Sequence, residues 1–176
     1  PPYLGEGGVS KGWIGDLITD YKKEPGGIET LKEKTSKWLN DLYVKFVCLS
    51  SHFIEKNHAG VIGLITNNGY LNNPTFRGMR WHIQNTFNKI LILDLHGNSK
   101  KKERTPEGNP DENVFDIQQG VSIIIGSKKS LFSKAPAKLM HKDLWGDRQF
   151  KYSQLVEPNL SNIIWEDVVS KPPFHL

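Results

Sequence analysis

Residues 61–95 read VIGLITNNGYLNNPTFRGMRWHIQNTFNKILILDL and contain the pattern that decides the fold. The β-branched, apolar run Val61 to Ile65 predicts a strand buried on both faces of a sheet, and Lys89 to Leu95 predicts a second strand. Between them, Asn73-Pro74-Thr75 offers a capping side chain and a proline at the entry of a helix that runs to Phe87. Strand, helix and strand form the crossover unit of an α/β sheet, whose connection should be right-handed.

Two further elements flank this unit. Apolar residues recur at intervals of three and four from Trp38 to Ile54, which predicts an amphipathic helix with one apolar face, ending before Gly60. Downstream, the run GVSIIIG at 120–126 predicts another buried strand. No helix fits between Leu95 and this run, so the last strand should pair antiparallel with its predecessor at an open edge of the sheet. The predicted fold class is therefore α/β, with a mixed sheet and an antiparallel last strand.

Composition sets limits on partners and location. The chain has 23 basic and 19 acidic residues, a net charge of +4, which permits an anionic partner without requiring one. A single cysteine, Cys48, excludes an intramolecular disulfide and favours a reducing compartment. The six histidines are scattered without ligand spacing, so we expect no metal site. No apolar run approaches the roughly 18 residues of a membrane-spanning helix, so we expect a cytoplasmic protein without a membrane partner.

A short motif and several longer strings carry a resemblance to a known family. The chain begins Pro1-Pro2-Tyr3, and Val114-Phe115 precedes the last predicted strand. This order resembles the catalytic domain of adenine-N6 DNA methyltransferases, in which Asn-Pro-Pro-Tyr follows the fourth strand of a Rossmann-like sheet. The strings PTFRGMR at 74–80, ILDLHGNSKKK at 92–102 and DENVFDIQQG at 111–120 are similar to the methyltransferase segment of type I single-polypeptide (type ISP) restriction-modification enzymes.

The resemblance implies a domain organisation and an activity. Residues 1–130 would form the C-terminal half of an S-adenosylmethionine-dependent methyltransferase domain, and residues 131–176 an appended segment leading toward a target-recognition domain. The parent would be a bacterial enzyme that transfers a methyl group from S-adenosylmethionine to adenine N6 in DNA. In this family the glycine-rich cofactor motif lies upstream, so the isolated fragment should be inactive, with DNA and the upstream half of the domain as partners.

The chemistry of base methylation assigns roles to the motif residues. A base inside a duplex hides its exocyclic amine, so the enzyme must flip the nucleotide out. The family clamps the base between two aromatic side chains, which correspond to Tyr3 and Phe115, and such a stack contributes on the order of 1 to 3 kcal/mol per base. The resemblance implies that Pro1, Pro2 and Tyr3 form the catalytic motif, with the Pro1 carbonyl accepting a hydrogen bond from the adenine amine. Methyl transfer is a direct displacement that needs positioning rather than a nucleophile, so Cys48 is no candidate catalyst.

Other candidate residues have two interpretations each. Phe46 matches a family position that packs against the adenine of the cofactor, yet its spacing fits a core helix face equally well. A basic group on the predicted exposed loop before Phe115 could contact phosphates or be a solvated charged surface. That group consists of Lys100, Lys101, Lys102 and Arg104. Arg77 and Arg80 could contact DNA, although local pairing or solvent exposure is the favoured interpretation.

Alternative functions also remain at the sequence level. The same motif occurs in enzymes that methylate RNA adenines or glutamine amides, so substrate class is open. A non-catalytic nucleic-acid-binding or interface fragment is a third hypothesis. A hydrolytic triad of Asp94, His96 and Ser99 is disfavoured, since no strand-to-helix elbow surrounds a serine. Because the predicted sheet has an exposed edge, we expect the isolated chain to self-associate.

Overall fold

A five-stranded mixed sheet in the order β1-β3-β2-β4-β5 is the frame of the protein. The strands are β1 Gly60–Asn67, β2 Lys89–His96, β3 Val121–Lys128, β4 Lys138–Asp143 and β5 Glu166–Val168. The computed structural model describes residues 12–129, 135–156 and 163–169. The predicted catalytic motif, Pro1, Pro2 and Tyr3, lies outside these residues, so its role stays a prediction.

Strand β3 runs antiparallel to both of its neighbours. Ile124 in β3 lies opposite Leu64 of β1 on one side and Ile92 of β2 on the other. The predicted α/β class, mixed sheet and antiparallel pairing with the preceding strand are thus confirmed. The predicted edge position of β3 is wrong, because β3 lies between β1 and β2. Its run of isoleucines places apolar side chains on both faces of the sheet, and an interior position pairs both of its backbone edges.

Strand β1 is instead an edge strand of the described sheet, and the prediction that it is buried on both faces is wrong. Ile62 and Leu64 pack against the main core. On the other face, Val61 is 69% exposed and Ile65 is 38% exposed. An apolar run identifies a strand but does not tell whether anything covers its second face.

The described parts of the predicted appended segment extend the same sheet. Strand β4 pairs parallel with β2, and β5 pairs antiparallel with β4. A helix, α4 Arg148–Val156, follows β4 and contributes the fully buried Lys151. The sequence pattern of this region does not define such a layout, and the division of the chain at residue 130 remains a prediction.

Helices cover one face of the sheet and enclose the main core. They are α1 Trp13–Tyr21, α2 Leu42–Asn57 and α3 Arg77–Thr86, with 3-10 segments at Lys34–Asn40, Asn68–Tyr70 and Pro74–Phe76. Asn73 caps the 3-10 segment Pro74–Phe76, which leads directly into α3, since its Oδ1 accepts from the Thr75 backbone N–H at 3.0 Å. A smaller cluster of Leu95, Val114 and Val121 lies on the opposite face. Among the described residues, no helix has the length and apolarity needed to cross a membrane.

The apolar residues of α2 form two faces rather than the single face predicted. Tyr43, Val47 and Ile54 are buried in the main core. Phe46 and Phe53 are 42% and 52% exposed. At about 100° per residue, these two phenylalanines share one side of the helix, opposite the buried one, with the half-buried Leu42 and Leu49. We call Leu42, Phe46, Leu49 and Phe53 the outer stripe of α2.

Candidate functional site

Phe115 lies in an ordered turn that leads into β3, with its side chain 37% exposed. The buried side chain of Asn113 shapes this turn: its Oδ1 accepts from the Phe115 backbone N–H at 2.9 Å. Its Nδ2 donates to the carbonyls of Gly97 at 3.0 Å and Gln119 at 2.6 Å. Gly97 has φ +82°, and a Cβ there would overlap the Asn113 backbone, so this close approach requires glycine. The Phe115 ring is therefore displayed on a well-defined backbone.

Arg148 of α4 holds the same turn from the other side. Its Nε donates to the Asn113 carbonyl at 2.8 Å and its Nη2 to the Phe115 carbonyl at 3.1 Å. Its Nη1 lies 2.7 Å from Asp116 Oδ1. The guanidinium fork thus binds three acceptors of one turn, a geometry that lysine cannot reproduce. Sequence reasoning missed this residue, since it lies 33 positions from Phe115 in a region without a recognisable motif.

The four predicted DNA-contacting cations lie next to this turn. The side chains of all four, Lys100, Lys101, Lys102 and Arg104, are exposed. We call residues 100–104, which carry the four cations, the basic turn. The backbone N–H of Ser99 donates to the Gln118 carbonyl at 3.2 Å, and this bond joins the basic turn to the turn that carries Phe115. This bond brings the backbone of the two turns together, and contact of the four cations with DNA stays a prediction.

Contacts of three of its acidic side chains anchor the loop that carries these cations. Asp111 is fully buried against Lys151. Asp116 pairs with Arg148. The Glu103 carboxylate accepts from the Asn98 backbone N–H at 2.8 Å. Asp111 and Asp116 are therefore paired with Lys151 and Arg148 and not with the exposed lysines of the loop.

Phe46, Arg77 and Arg80 occupy different surroundings. Phe46 belongs to the outer stripe of α2, so its interpretation as a core residue is wrong, and its contact with a cofactor remains a prediction. Arg77 pairs with Glu24 and Glu33, and these hydrogen bonds raise the pKa of its guanidinium. The local pairing expected for Arg77 is thereby confirmed.

Arg80 is fully buried beneath the loop that follows β1. Its Nη1 donates to the carbonyls of Tyr70 and Asn73, each at 2.7 Å. Burial lowers the pKa of Arg80 to about 10. Arg80 therefore holds the segment between β1 and α3 and is not exposed for contact with DNA.

A polar cluster that the sequence did not predict lies at the carboxyl ends of β2 and β4. His96 Nε2 lies 2.7 Å from Asp143 Oδ1, and this hydrogen bond lowers the pKa of Asp143. Asp94 Oδ1 accepts from Asn68 Nδ2 at 2.9 Å and from the His96 backbone N–H at 3.0 Å. The Trp145 ring stacks on His96 with the ring centroids 3.3 Å apart. In open α/β sheets the carboxyl ends of the strands are the usual position of ligand sites.

An open cleft of about 700 Å³ lies beside this cluster, between the 105–112 loop and the start of α4. Trp145 and Phe150 supply its aromatic walls, and Glu107, Glu112 and Asp147 supply carboxylates. Negative charge of this kind repels phosphates, so the cleft is a poorer nucleic-acid surface than the basic turn.

Comparisons with known proteins identify relatives in structure only. No protein-family model and no curated protein sequence matches the chain. A nuclease-deletion mutant of the Type ISP restriction-modification enzyme LlaGI, in complex with a DNA substrate mimic, aligns over 98% of this chain at 20% identity and a TM-score of 0.77. The ATP-dependent Type ISP restriction-modification enzyme LlaBIII, bound to DNA, aligns over 95% at 22% identity and a TM-score of 0.75. A DrdV–DNA complex aligns over 80% at 21% identity and a TM-score of 0.67.

The likeness to these three structures is one of fold. This chain spans 14%, 11% and 13% of the LlaGI, LlaBIII and DrdV chains, respectively. The described residues thus form an α/β unit of a kind that occurs within large restriction-modification enzymes. At these identities the activities of the whole enzymes do not carry over with the fold.

Proposed function

We propose that this chain is part of a DNA adenine-N6 methyltransferase within a type ISP restriction-modification enzyme. The observation that carries the proposal is the partly exposed Phe115 ring, on a turn whose backbone is hydrogen-bonded, through Ser99 and Gln118, to the loop that carries four exposed cations. Two of the structures that share the fold are Type ISP restriction-modification enzymes bound to DNA, which supports the same conclusion.

In this proposal Phe115 forms one wall of the slot that receives a flipped adenine. The hydrogen bonds from Asn113 and Arg148 keep the ring in place before the base arrives, which reduces the entropy lost on binding. Tyr3 forms the second wall, and Pro1 and Pro2 complete the catalytic motif around the adenine amine. Stacking on such rings is the natural clamp for a single unstacked base.

The basic turn would hold the backbone of the DNA at the entrance to this slot. Lys100, Lys101, Lys102 and Arg104 are long side chains that can reach phosphates flanking the flipped nucleotide. Contacts of this kind position a duplex without reading its sequence. The recognition sequence would then be read elsewhere in the parent enzyme.

The upstream half of the methyltransferase domain would cover two apolar surfaces of the described unit. One is the second face of β1, where Val61 and Ile65 are exposed. The other is the outer stripe of α2, which includes Phe46. An added strand on β1 would satisfy its open backbone groups. S-adenosylmethionine, when bound, supplies the methyl group, and Phe46 would pack against its adenine from this side.

The proposal is tested by methyl transfer in the parent enzyme that contains this chain. Tritiated methyl transfer to an adenine-containing duplex is compared for the unmodified enzyme, Phe115→Ala and Phe115→Tyr. We expect Phe115→Ala to lose about tenfold or more in rate, which corresponds to the loss of one base stack, and Phe115→Tyr to retain most activity. Full activity of Phe115→Ala, or transfer to RNA or a protein amide in place of the duplex, would contradict the proposal.

A second candidate function is nucleic-acid binding without catalysis, favoured by the basic turn. Binding to DNA through phosphates alone depends on salt and does not require a stacking ring. DNA affinity that is unaffected by Phe115→Ala, in a parent enzyme without methyl transfer, would favour this second candidate.

A further inference from the structure

We propose that Asp94, His141 and Asp143 form a binding site for one divalent transition-metal ion. Each of the three side chains offers a ligand atom, and these atoms all lie within 4.8 Å of one another. The histidines are scattered in the sequence, but the parallel pairing of β2 with β4 sets Asp94 directly beside Asp143 and Ile92 directly beside His141. The inference does not depend on the proposed methyltransferase activity.

The distance between two of these ligand atoms suits a shared ion better than a direct hydrogen bond. His141 Nε2 lies 3.8 Å from Asp143 Oδ1, which is too long for a hydrogen bond. Two donors that bind one zinc ion at roughly 2.0 to 2.2 Å lie about 3 to 4 Å apart. Asp94 uses Oδ1 for its bonds to Asn68 and the His96 backbone, whereas its Oδ2 lies 3.7 Å from His96 Nδ1, beyond hydrogen-bond distance.

Hydrogen bonds from neighbouring side chains orient the two carboxylate ligands, as hydrogen bonds to ligands commonly do in metal sites. His96 holds Asp143 Oδ1 at 2.7 Å, while Trp145 stacks on the His96 ring and keeps it in position. Asn68 holds Asp94 from the end of β1. Hydrogen bonds to ligating carboxylates fix their direction and commonly affect metal affinity by roughly 10- to 100-fold. Asp143 is 42% exposed, which leaves a path for an ion to enter.

The donor set indicates the kind of ion. One imidazole nitrogen and two carboxylates suit Zn²⁺ or Mn²⁺, whereas Ca²⁺ and Mg²⁺ prefer oxygen ligands throughout. The two carboxylates also balance the charge of a divalent ion. An ion at this position would join β2 to β4 and so connect the central sheet to the segment that carries Arg148.

The test is calorimetric titration of the full chain with Zn²⁺ and with Mn²⁺, compared with Mg²⁺ and Ca²⁺. We expect one Zn²⁺ or Mn²⁺ per chain and a rise in the thermal midpoint on binding. His141→Gln and Asp143→Asn should each weaken binding at least about tenfold. The control is His58→Asn, which changes an exposed histidine in left-handed conformation at the end of α2 and should bind as the unmodified chain does.

Circular dichroism establishes that each variant is folded before its titration is interpreted. Binding that is equally strong in His141→Gln, in Asp143→Asn and in the unmodified chain would overturn the proposal. Absence of Zn²⁺ and Mn²⁺ binding, or binding no tighter than that of Mg²⁺, would overturn it as well. Should one variant fail to fold, the other still decides between these outcomes, and Co²⁺ absorption in the unmodified chain and His58→Asn reports whether a nitrogen and oxygen site is present.

Discussion

Lys151 Nζ lies 2.7 Å from Asp111 Oδ1, and both side chains are fully buried. The same ammonium donates to the carbonyls of Leu95 at 2.8 Å and Glu112 at 2.6 Å. Asp111 also accepts from the backbone N–H groups of Gly97 and Gly146. One ion pair therefore joins the end of β2, the long loop and α4, which are the three parts that display Phe115.

Removal of this ammonium should strongly destabilise the protein. Lys151→Met leaves Asp111 charged and buried without its partner, and we expect the free energy of unfolding to fall by about 3 to 5 kcal/mol. Urea denaturation measures the change. The matched control is Lys138→Met, whose pair with Asp167 is 60% and 66% exposed and should contribute less than about 1 kcal/mol. If the two substitutions lowered the free energy of unfolding equally, the buried pair would contribute no more to stability than the exposed pair.

Arg148 should affect catalysis through the position of Phe115. In the parent enzyme, Arg148→Ala removes the bonds to the Asn113 and Phe115 carbonyls, so we expect kcat to fall several-fold, since the ring is no longer pre-positioned. Fluorescence of 2-aminopurine at the target position reports base flipping directly. Asp116→Asn, which removes only the ion pair with Arg148, should retain activity. Loss of stability without a change in the fluorescence signal would indicate that Arg148 has only a structural role.

The basic turn should determine how DNA affinity depends on salt. Replacing Lys100, Lys101 and Lys102 together by alanine removes up to three charges that can bind phosphates. The slope of log affinity against log salt should then become shallower by about 0.9 for each phosphate that is no longer bound. Fluorescence anisotropy of a labelled duplex over a salt series gives the slope.

The control for this experiment is a triple alanine variant at Lys32, Lys34 and Lys56, which are exposed lysines of other segments of the chain. This variant has the same change of net charge and should leave the slope nearly unaltered. Identical slopes in both triple variants would exclude the turn as a phosphate-binding surface.

The outer stripe of α2 should promote self-association of the isolated chain. Phe46 and Phe53 expose apolar surface, and β1 is an edge strand among the described residues; both features favour contacts between copies. We expect light scattering to show oligomers of the unmodified chain. The double variant Phe46→Ser, Phe53→Ser should form fewer oligomers and be equally stable. A monodisperse monomer of the unmodified chain would contradict this expectation.

Cys48 should be unreactive in the folded protein. Burial raises the pKa of its thiol to about 12, so almost no thiolate forms at neutral pH. Iodoacetamide should label Cys48 slowly in buffer and rapidly in urea. A cysteine at the exposed position 56 of the same helix, introduced by Lys56→Cys in a Cys48→Ala background, should be labelled rapidly in both conditions. Rapid labelling of native Cys48 would show that the helix opens at this position.

The raised pKa of Cys48 also implies a decline of stability at alkaline pH. A raised pKa in the folded state means that folding favours the neutral thiol. The contribution of this thiol to the free energy of unfolding is therefore fully present below the unfolded pKa of about 8.5. It is lost as the pH rises toward the folded value of about 12. The buried Tyr21, Tyr43 and Tyr70 have raised pKa values and act in the same direction. Urea midpoints measured from pH 7 to pH 11 should therefore decrease above about pH 9, where free thiols begin to ionise.

Local sequence patterns were sufficient to predict the central elements of the fold, but not α1, β4, α4 or β5. The β-branched runs of β1, β2 and β3 and the cap at Asn73 are local patterns, and each depends on side chains that lie within a few positions of one another. The proximity of the basic residues to Phe115 was also predictable, because a single loop carries both. These features depend on short stretches of chain, in which backbone preferences and alternation of apolar residues are directly visible.

Which surfaces are covered and which distant side chains meet depends on the packing of the whole chain. The insertion of β3 between β1 and β2, and the two faces of α2, depend on what packs against each element. His96 and Asp143 are 47 positions apart, and Arg148 and Phe115 are 33 apart, yet each pair is in contact. Such contacts follow from the order of strands in the sheet, which is set by burial and hydrogen bonding over the whole molecule and leaves no periodic signal in the chain.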